Sequence, residues 1–210
     1  MSGKSLVYFA DPMCSWCWGF AAVIAAIEDA FGDTLPIRLV MGGLRPGTVE
    51  PMAESAKSEL RGHWVHVTEA SGQPFGPSGL DGAGFVYDTD PAARAVVAMR
   101  RGDPLRALAY LEAVQRGFYA GGLDVTKPAV LAELAAGFGQ DPDAFAAELA
   151  SEAVKQETWR DYAISRGAGV SGFPTLILGP QADGTYLAVT RGFQPVAQVL
   201  PALASLLAAA

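Results

Sequence analysis

A strand–helix–strand pattern fills residues 5–43. Residues 6–10 are an apolar run with the length of a buried parallel strand, and Asp11 and Pro12 interrupt it. A helix is expected to begin near Cys14, and its buried face is predicted to consist of Phe20, Ile24, Ile27 and Phe31. A second strand is predicted at residues 37–41, before a pair of glycines. This order is that of a βαβ unit, in which a helix packed on the sheet joins two parallel strands.

The middle of the chain is predicted to be helical around one long loop. Residues 71–90 are rich in glycine and proline, which favours an irregular loop. Asp-Pro pairs predict helix starts, because Asp caps free N–H groups and Pro suits the first helical position; the pairs begin at Asp90, Asp103 and Asp141. One amphipathic helix is expected to carry Leu105, Leu108, Leu111 and Val114 on one face. Another is expected to run from Phe145 to Arg166.

The end of the chain returns to strands. Two strands are predicted at residues 175–178 and 186–190, and Asp183-Gly184 between them is a typical hairpin turn. A final helix is expected over residues 195–207. The whole chain therefore predicts an α/β fold in the order βαβ, helical insertion, ββα.

The length of 210 residues suits one large domain or a domain with a substantial insertion. We predict the second arrangement, with residues 1–43 and 167–210 forming one α/β domain. Residues 44–166 are predicted to form an inserted, all-helical domain. Half of the residues are hydrophobic, which is enough for a packed core.

Charge and hydropathy argue against two classes of partner. The net charge is −7 without a cluster of Lys and Arg, whereas nucleic-acid binding needs a concentrated basic face. The apolar stretch from residue 196 onward is shorter than the roughly 20 residues of a membrane-spanning helix, and Pro201 interrupts it. The apolar run at residues 5–10 is too short for the core of a signal peptide, so we expect a cytoplasmic location.

The only two cysteines lie close together, in the motif Cys14-Ser15-Trp16-Cys17. In a reducing compartment such a pair is more often redox-active or metal-binding than a structural disulfide. At the start of a helix, unpaired N–H groups and the helix dipole favour a thiolate at the first cysteine. Thiol pKa values in such motifs fall to about 3.5–7.5. We therefore predict that Cys14 attacks a disulfide and that the more buried Cys17 resolves the mixed disulfide.

Two simpler interpretations of the cysteines remain open. They could pack as small buried hydrophobic residues. They could also bind zinc, but a zinc site needs two further ligands. The only histidines, His63 and His66, are spaced to share one helix face and are far from the cysteines in sequence. We expect both to be surface residues of the insertion, and we predict no metal site.

Other residues near the motif allow more than one interpretation. Pro174 precedes a predicted strand and could follow a cis bond beside the cysteines, or be an ordinary trans proline. Trp16 could contact a substrate or pack on the helix, whereas Trp18 is expected to pack. Asp11 could be an acid near the site, but a turn residue that ends the strand is the favoured interpretation.

Three segments resemble DsbA-like proteins, especially their cytoplasmic, FrnE-like branch. They are the sequences FADPMCSWCWGF at 9–20, QRGFYAGGLD at 115–124 and GVSGFPT at 169–175. The resemblance implies a thioredoxin-like fold with a helical insertion. It also implies disulfide exchange by Cys14 and Cys17, and a cis bond before Pro174. Trp16, Phe173 and Pro174 are then expected to contact the substrate.

The chain departs from periplasmic DsbA in two places. Its central dipeptide is Ser15-Trp16 instead of Pro-His, so a strongly oxidising potential is not implied. The residue before Pro174 is the bulky Phe173, which is expected to narrow the substrate groove.

Three functions agree with these features. The first is a thiol–disulfide oxidoreductase of the protein disulfide reductase or isomerase type, without a bound cofactor. It would act on protein or small-molecule disulfides as a monomer or homodimer, with glutathione as a candidate redox partner. The second is a glutathione-dependent enzyme like the kappa-class transferases or 2-hydroxychromene-2-carboxylate isomerases, against which the second cysteine argues. The third is a non-catalytic, thiol-dependent chaperone.

Overall fold

One four-stranded sheet is built from the two ends of the chain. The computed structural model describes residues 3–208. The strands are β1 (Ser5–Ala10), β2 (Ile37–Met41), β3 (Thr175–Gly179) and β4 (Leu187–Arg191), and their order across the sheet is β2-β1-β3-β4. β1 pairs parallel with β2 and antiparallel with β3, while β3 and β4 form a hairpin. The predicted α/β fold, with its βαβ unit and its hairpin, is confirmed.

Nine α-helices complete the part of the chain that is described. They are α1 (Ser15–Gly19), α2 (Ala21–Phe31), α3 (Glu54–Ser71), α4 (Asp90–Gly102), α5 (Ala107–Tyr119), α6 (Pro128–Ala136), α7 (Pro142–Leu149), α8 (Glu152–Gly167) and α9 (Val196–Ala208). Helices α3 to α8 lie between β2 and β3, as the predicted insertion requires. None of the helices in residues 3–208 is long and apolar enough to cross a bilayer.

The division into two domains stays a prediction. One continuous cluster of buried side chains includes residues of the sheet and of the helices between β2 and β3. An isolated β-bridge between Pro51 and Val86 departs from a purely helical insertion. The first two and last two residues of the predicted α/β domain lie outside the described range.

Strand β1 is central because both of its faces are covered. Leu6, Tyr8 and Ala10 face the main core, and Val7 and Phe9 face a smaller cluster on the other side of the sheet. Such double-sided burial explains why the strand is a nearly continuous apolar run. The loop that follows β1 therefore starts from a central strand of the sheet, and it carries the first cysteine.

A partly buried ion pair links the helical part to the edge strand β2. Arg100 on α4 donates to the Leu39 carbonyl at 2.7 Å and to Asp161 on α8 at 2.8 Å. Asp161 also accepts the backbone N–H of Met41 at 2.9 Å. These contacts satisfy polar groups at the end of β2 and cover part of an otherwise open strand edge. They fix the position of the loop that follows β2.

Several predicted helix boundaries are wrong. The helix near Cys14 is two helices, because the chain breaks at Phe20 between α1 and α2. The helix predicted from Phe145 to Arg166 is also interrupted, since the Ser151 side chain accepts the Val154 N–H and starts a new helix there. A local cap therefore overrides the apolar periodicity that joined the two segments.

Other expectations in the helical region need smaller corrections. Leu105 belongs to a short 3₁₀ helix (Pro104–Arg106) and is 94% exposed, so it is not part of the buried face of α5. Asp141 caps α7 as predicted, by accepting the Ala144 N–H at 2.9 Å. Asp90 is already the first residue of α4. The loop predicted at residues 71–90 contains one 3₁₀ turn (Gly79–Asp81).

Candidate active site

The turn after β1 places Cys14 at the start of α1. The Asp11 side chain accepts the Met13 N–H at 3.0 Å, and the Asp11 carbonyl accepts the Cys14 N–H at 3.1 Å. Cys14 has extended backbone angles and is the N-cap residue, with its carbonyl accepting the N–H of Cys17 at 3.0 Å. No side chain caps this helix. The first N–H groups of α1 are therefore available to a charge on the cysteine side chain.

The two thiols differ in exposure. Both are free thiols in this structure, and Cys14 is 7% exposed whereas Cys17 is 0% exposed. Burial, followed by the hydrogen bond and the charge of Cys14, holds the pKa of Cys17 well above its usual value. The geometry makes Cys14 the thiol that another molecule can reach, with Cys17 one turn behind it.

The loop before β3 faces Cys14. The Phe173–Pro174 bond is cis, as the resemblance implies, and the Cys14 thiol donates to the Phe173 carbonyl at 3.6 Å. Pro174 is buried and Phe173 is half-buried. A second cis bond, between Gly179 and Pro180, follows β3 and was not predicted.

Close packing at Gly42 positions the Phe173 ring. A Cβ atom on Gly42 would lie 2.2 Å from the Phe173 ring, so no larger residue fits without displacing that ring. The Gly42 N–H also donates to the Ala10 carbonyl at 2.7 Å, which continues the pairing of β1 and β2. On the other side, the Pro174 carbonyl accepts the Gly192 N–H at 2.7 Å. The proline loop is thus held between the ends of β2 and β4.

Aromatic side chains from three parts of the chain meet beside the motif. Trp16 is half-buried, and its ring lies 5.5 Å from the ring of Phe193 and 5.7 Å from that of His63. His63 and His66 are exposed, as predicted, but His63 on α3 is next to the motif despite its distance in sequence. Within the described residues no group of three or more His, Cys, Asp or Glu could hold a metal.

Trp18 packs inside, as predicted. It is 0% exposed and donates its indole N–H to the Pro74 carbonyl at 3.0 Å. The Arg116 guanidinium lies 5.3 Å from its ring centre. The loop at residues 72–78 is thereby attached to α1.

Asp11 is a turn residue that ends strand β1, and it is also an acid near the site. It ends the strand through its hydrogen bond to Met13, and its other carboxylate oxygen accepts the Leu44 N–H at 2.8 Å. It is 0% exposed, and burial raises its pKa to about 6 although these hydrogen bonds oppose the shift. Its charge also contributes to the raised pKa of Cys17. A buried acid therefore lies close to the two thiols.

Three buried tyrosines near the thiols were missed by sequence reasoning. Tyr87 donates to the Met13 carbonyl, one residue before Cys14. Burial and the charge of Cys14 contribute to raised pKa values of Tyr87 and Tyr119. Burial and the charge of Cys17 likewise contribute to a raised pKa of Tyr8. Of these three tyrosines, only Tyr8 could have been singled out from the sequence, because it is the one residue with a polar group in the apolar run at residues 6–10.

Known proteins share this architecture. A proposed protein disulfide isomerase from Nitrosomonas europaea is 34% identical, with 97% of each chain covered and a TM-score of 0.88. The cytosolic disulfide reductase DsbM from Pseudomonas aeruginosa is 26% identical, with 98% of this chain and 100% of DsbM covered and a TM-score of 0.80. The structure of DsbM with GSH gives a TM-score of 0.77 at 25% identity, with 97% of this chain and 98% of DsbM covered.

One relative in sequence is named as an adapter protein and not as a disulfide reductase or isomerase. The ClpXP adapter protein SpxH from Shouchella clausii is 24% identical over 95% of this chain and 71% of its own length. The model of the DSBA-like thioredoxin domain family matches residues 5–204. The predicted thioredoxin-like fold is thus confirmed, and the chain belongs to the family of DSBA-like thioredoxin domain proteins.

Proposed function

We propose that this protein is a thiol–disulfide oxidoreductase of the reductase or isomerase type. The observation that carries the proposal is the asymmetric pair, with Cys14 reachable at a helix start and Cys17 enclosed directly behind it. An attacking thiol must be reached by the substrate, whereas a resolving thiol must reach only its neighbour. The names of the N. europaea and P. aeruginosa neighbours support the same chemistry.

The reaction follows from the positions of the two sulfurs. The Cys14 thiolate attacks one sulfur of a substrate disulfide, and the other sulfur leaves as a thiolate. The Cys17 thiolate then attacks Cys14, which forms the Cys14–Cys17 disulfide and releases the second substrate thiolate. The substrate is reduced by two electrons and the protein pair is oxidised. No bound cofactor is required, because the two thiols carry the electron pair.

The substrate would be bound between Trp16 and the proline loop. Trp16 and Phe173 are both half-buried, so each presents part of a ring to an incoming chain. The Phe173 carbonyl, which accepts the Cys14 thiol, is an acceptor beside the reacting sulfur. Pro174, which is buried in the same loop, is proposed as the third contact of the substrate. We propose protein or small-molecule disulfides as substrates and glutathione as the redox partner, since DsbM has been solved with GSH.

A redox titration tests the proposal. The protein is equilibrated in buffers of reduced and oxidised glutathione, and tryptophan fluorescence is recorded, because Trp16 and Trp18 lie within or next to the motif. We expect one reversible two-electron transition that is absent in Cys14→Ser. Cys17→Ser should instead accumulate a mixed disulfide with glutathione. If both thiols of the wild-type protein stay free throughout, the proposal is wrong.

The name of the SpxH relative favours a second candidate, which is binding of a protein partner without turnover. Such binding should survive the double change Cys14→Ser and Cys17→Ser, whereas disulfide exchange should not. We propose the cytoplasm as the location, because the neighbour DsbM is a cytosolic protein.

A further inference from the structure

A surface pocket lies beside the proline loop, on the face of the sheet that carries the smaller buried cluster. Its walls are residues 168–173 after α8, Ile177 on β3 and Arg191 on β4, and we name it the Arg191 pocket. Ile177 also packs against the smaller cluster, which fixes the face of the sheet on which the pocket lies. The pocket volume is about 280 Å³. This volume is close to the lower end of small-molecule sites, which occupy roughly 300–1,000 Å³.

Arg191 brings an unpaired positive charge to this pocket. Its side chain is exposed, and within residues 3–208 it forms no ion pair with a carboxylate. The chain as a whole has a net charge of −7, so a cation without a counter-ion is a local point of attraction for an anion. The planar guanidinium group presents N–H donors in a geometry that matches a carboxylate.

The loop after α8 contributes further donors to the pocket. The N–H groups of residues 168–170 all donate back to carbonyls of α8 and complete the end of that helix. Ser171 and Gly172 come next and line the pocket. In the part of the chain that is described, their N–H groups donate to no backbone carbonyl. Consecutive free N–H groups in a concave loop are typical donors to bound anions.

The Arg191 pocket adjoins the attacking thiol through Phe173. This residue lines the pocket, and its carbonyl accepts the Cys14 thiol at 3.6 Å. Arg191 is the partner of Thr175 across strands β3 and β4, two residues beyond Phe173. Such antiparallel partners have Cα atoms about 4.5–5.5 Å apart. The positive charge therefore comes from a residue beside the proline loop, and one residue separates the pocket from the sulfur.

We propose that the Arg191 pocket binds a carboxylate of the disulfide substrate while Cys14 attacks the disulfide. This inference rests on the proposed function and deepens it, because it selects disulfides that carry a carboxylate a few bonds from the sulfur. Arg191 pairs with the carboxylate, and the N–H groups of Ser171 and Gly172 donate to it. Arg191 determines specificity and does not touch the reacting sulfur, so the exchange of bonds at the two thiols is that of the proposed function.

Two matched disulfides measure the contribution of the carboxylate. Dithiodipropionate carries one carboxylate on each half, and its diamide carries an uncharged carboxamide of nearly the same size in each place. Reduced protein is mixed with increasing concentrations of either compound, and oxidation of the thiol pair is followed by tryptophan fluorescence in a single turnover. The concentration dependence gives a half-saturating concentration and a limiting rate for each compound. We expect dithiodipropionate to half-saturate at a roughly fivefold lower concentration, the upper end of what an exposed ion pair contributes.

Variants of the pocket and one control assign this preference to Arg191. Arg191→Gln should raise the half-saturating concentration of dithiodipropionate roughly fivefold and leave that of the diamide and both limiting rates unchanged. Arg191→Lys keeps the charge and should restore part of the preference. Ser171→Asp places a carboxylate in the pocket and should abolish the preference as Arg191→Gln does.

Arg38→Gln is the matched control, because it changes the net charge equally at a distance from the pocket. Arg38 is also exposed, and it lies on β2, at the other edge of the sheet. It does not line the pocket, and within the described residues it has no ion-pair partner. Arg38→Gln should therefore keep the wild-type preference for dithiodipropionate.

The outcomes are distinct. If Arg191→Gln keeps the wild-type preference, or if Arg38→Gln loses as much of it, the carboxylate site is overturned and the oxidoreductase stays intact. A wild-type protein that neither compound oxidises would overturn the proposed function and this inference with it. The diamide rate of each variant shows whether that variant is folded and active, so a general loss of activity is not mistaken for a loss of specificity.

Discussion

Asp11 should make the protein less stable as the pH rises from 4 to 7. Its carboxyl group is fully buried and its pKa is raised from 3.8 to about 6. Between these values the unfolded chain releases the proton and the folded protein keeps it, so the free energy of unfolding falls with rising pH. Below 3.8 both states are protonated and there is no penalty. Above about 6 both are ionised and the penalty is complete.

The size of the effect follows from the pKa difference. A shift of about two units at about 1.4 kcal/mol each corresponds to roughly 3 kcal/mol lost across this pH range. The full value applies because water does not reach the group. Asp11→Asn should remove this contribution, although one of the N–H groups of Met13 and Leu44 then loses its acceptor. The variant is therefore expected to be less stable at pH 4 and to depend less on pH.

Urea unfolding at pH 4.5 and 7.5 measures this difference for both proteins. The wild-type change in unfolding free energy minus that of Asp11→Asn should be roughly 2 kcal/mol, because the remaining part of the full effect falls below pH 4.5, and the wild type should lose more. Asp183→Asn is the control, since hydrogen bonds to Thr185 lower the pKa of its exposed carboxyl group, so its shift has the opposite sign. Equal pH dependence in the wild type and Asp11→Asn would refute the reasoning.

Two further changes test the supports of the site. Gly42→Ala should lower the free energy of unfolding in urea by about 1–3 kcal/mol and slow attack by Cys14, because its Cβ would lie 2.2 Å from the Phe173 ring. Gly62→Ala is the control, since the space around Gly62 is open, and it should neither lower the stability nor slow the attack. Asp161→Ala should cost about 1–3 kcal/mol, because the partly buried Arg100 loses one of its two carboxylate partners and the buried Met41 N–H loses its acceptor. No loss in thermal or urea unfolding would contradict this.

The sheet and the motif were predictable because local patterns determine them. An apolar run before a C-x-x-C, with helical periodicity after it, allows few arrangements other than a βαβ unit. The break at Phe20 was not visible, since the apolar positions keep their helical spacing across it. At Ser151 a capping signal was present, but the continuing periodicity masked it.

The environment of the motif was less predictable because it depends on distant contacts. His63 approaches Trp16 only because α3 packs against α1, and no local pattern encodes that contact. One of the hydrogen bonds to the Asp11 carboxylate likewise comes from Leu44, which lies beyond β2. A residue suited to a turn and a buried acid look alike in sequence, since both are an Asp at the end of a strand.

The position of β1 between β2 and β3 has a consequence for synthesis on the ribosome. One neighbour of β1 follows it within the first 41 residues, but the other begins at Thr175. Until that segment has emerged, the nascent chain has one open strand edge, and Cys14 has no Phe173 carbonyl beside it. The attacking thiol is therefore more open to oxidation during most of translation than in the finished protein, which favours production in a reducing environment.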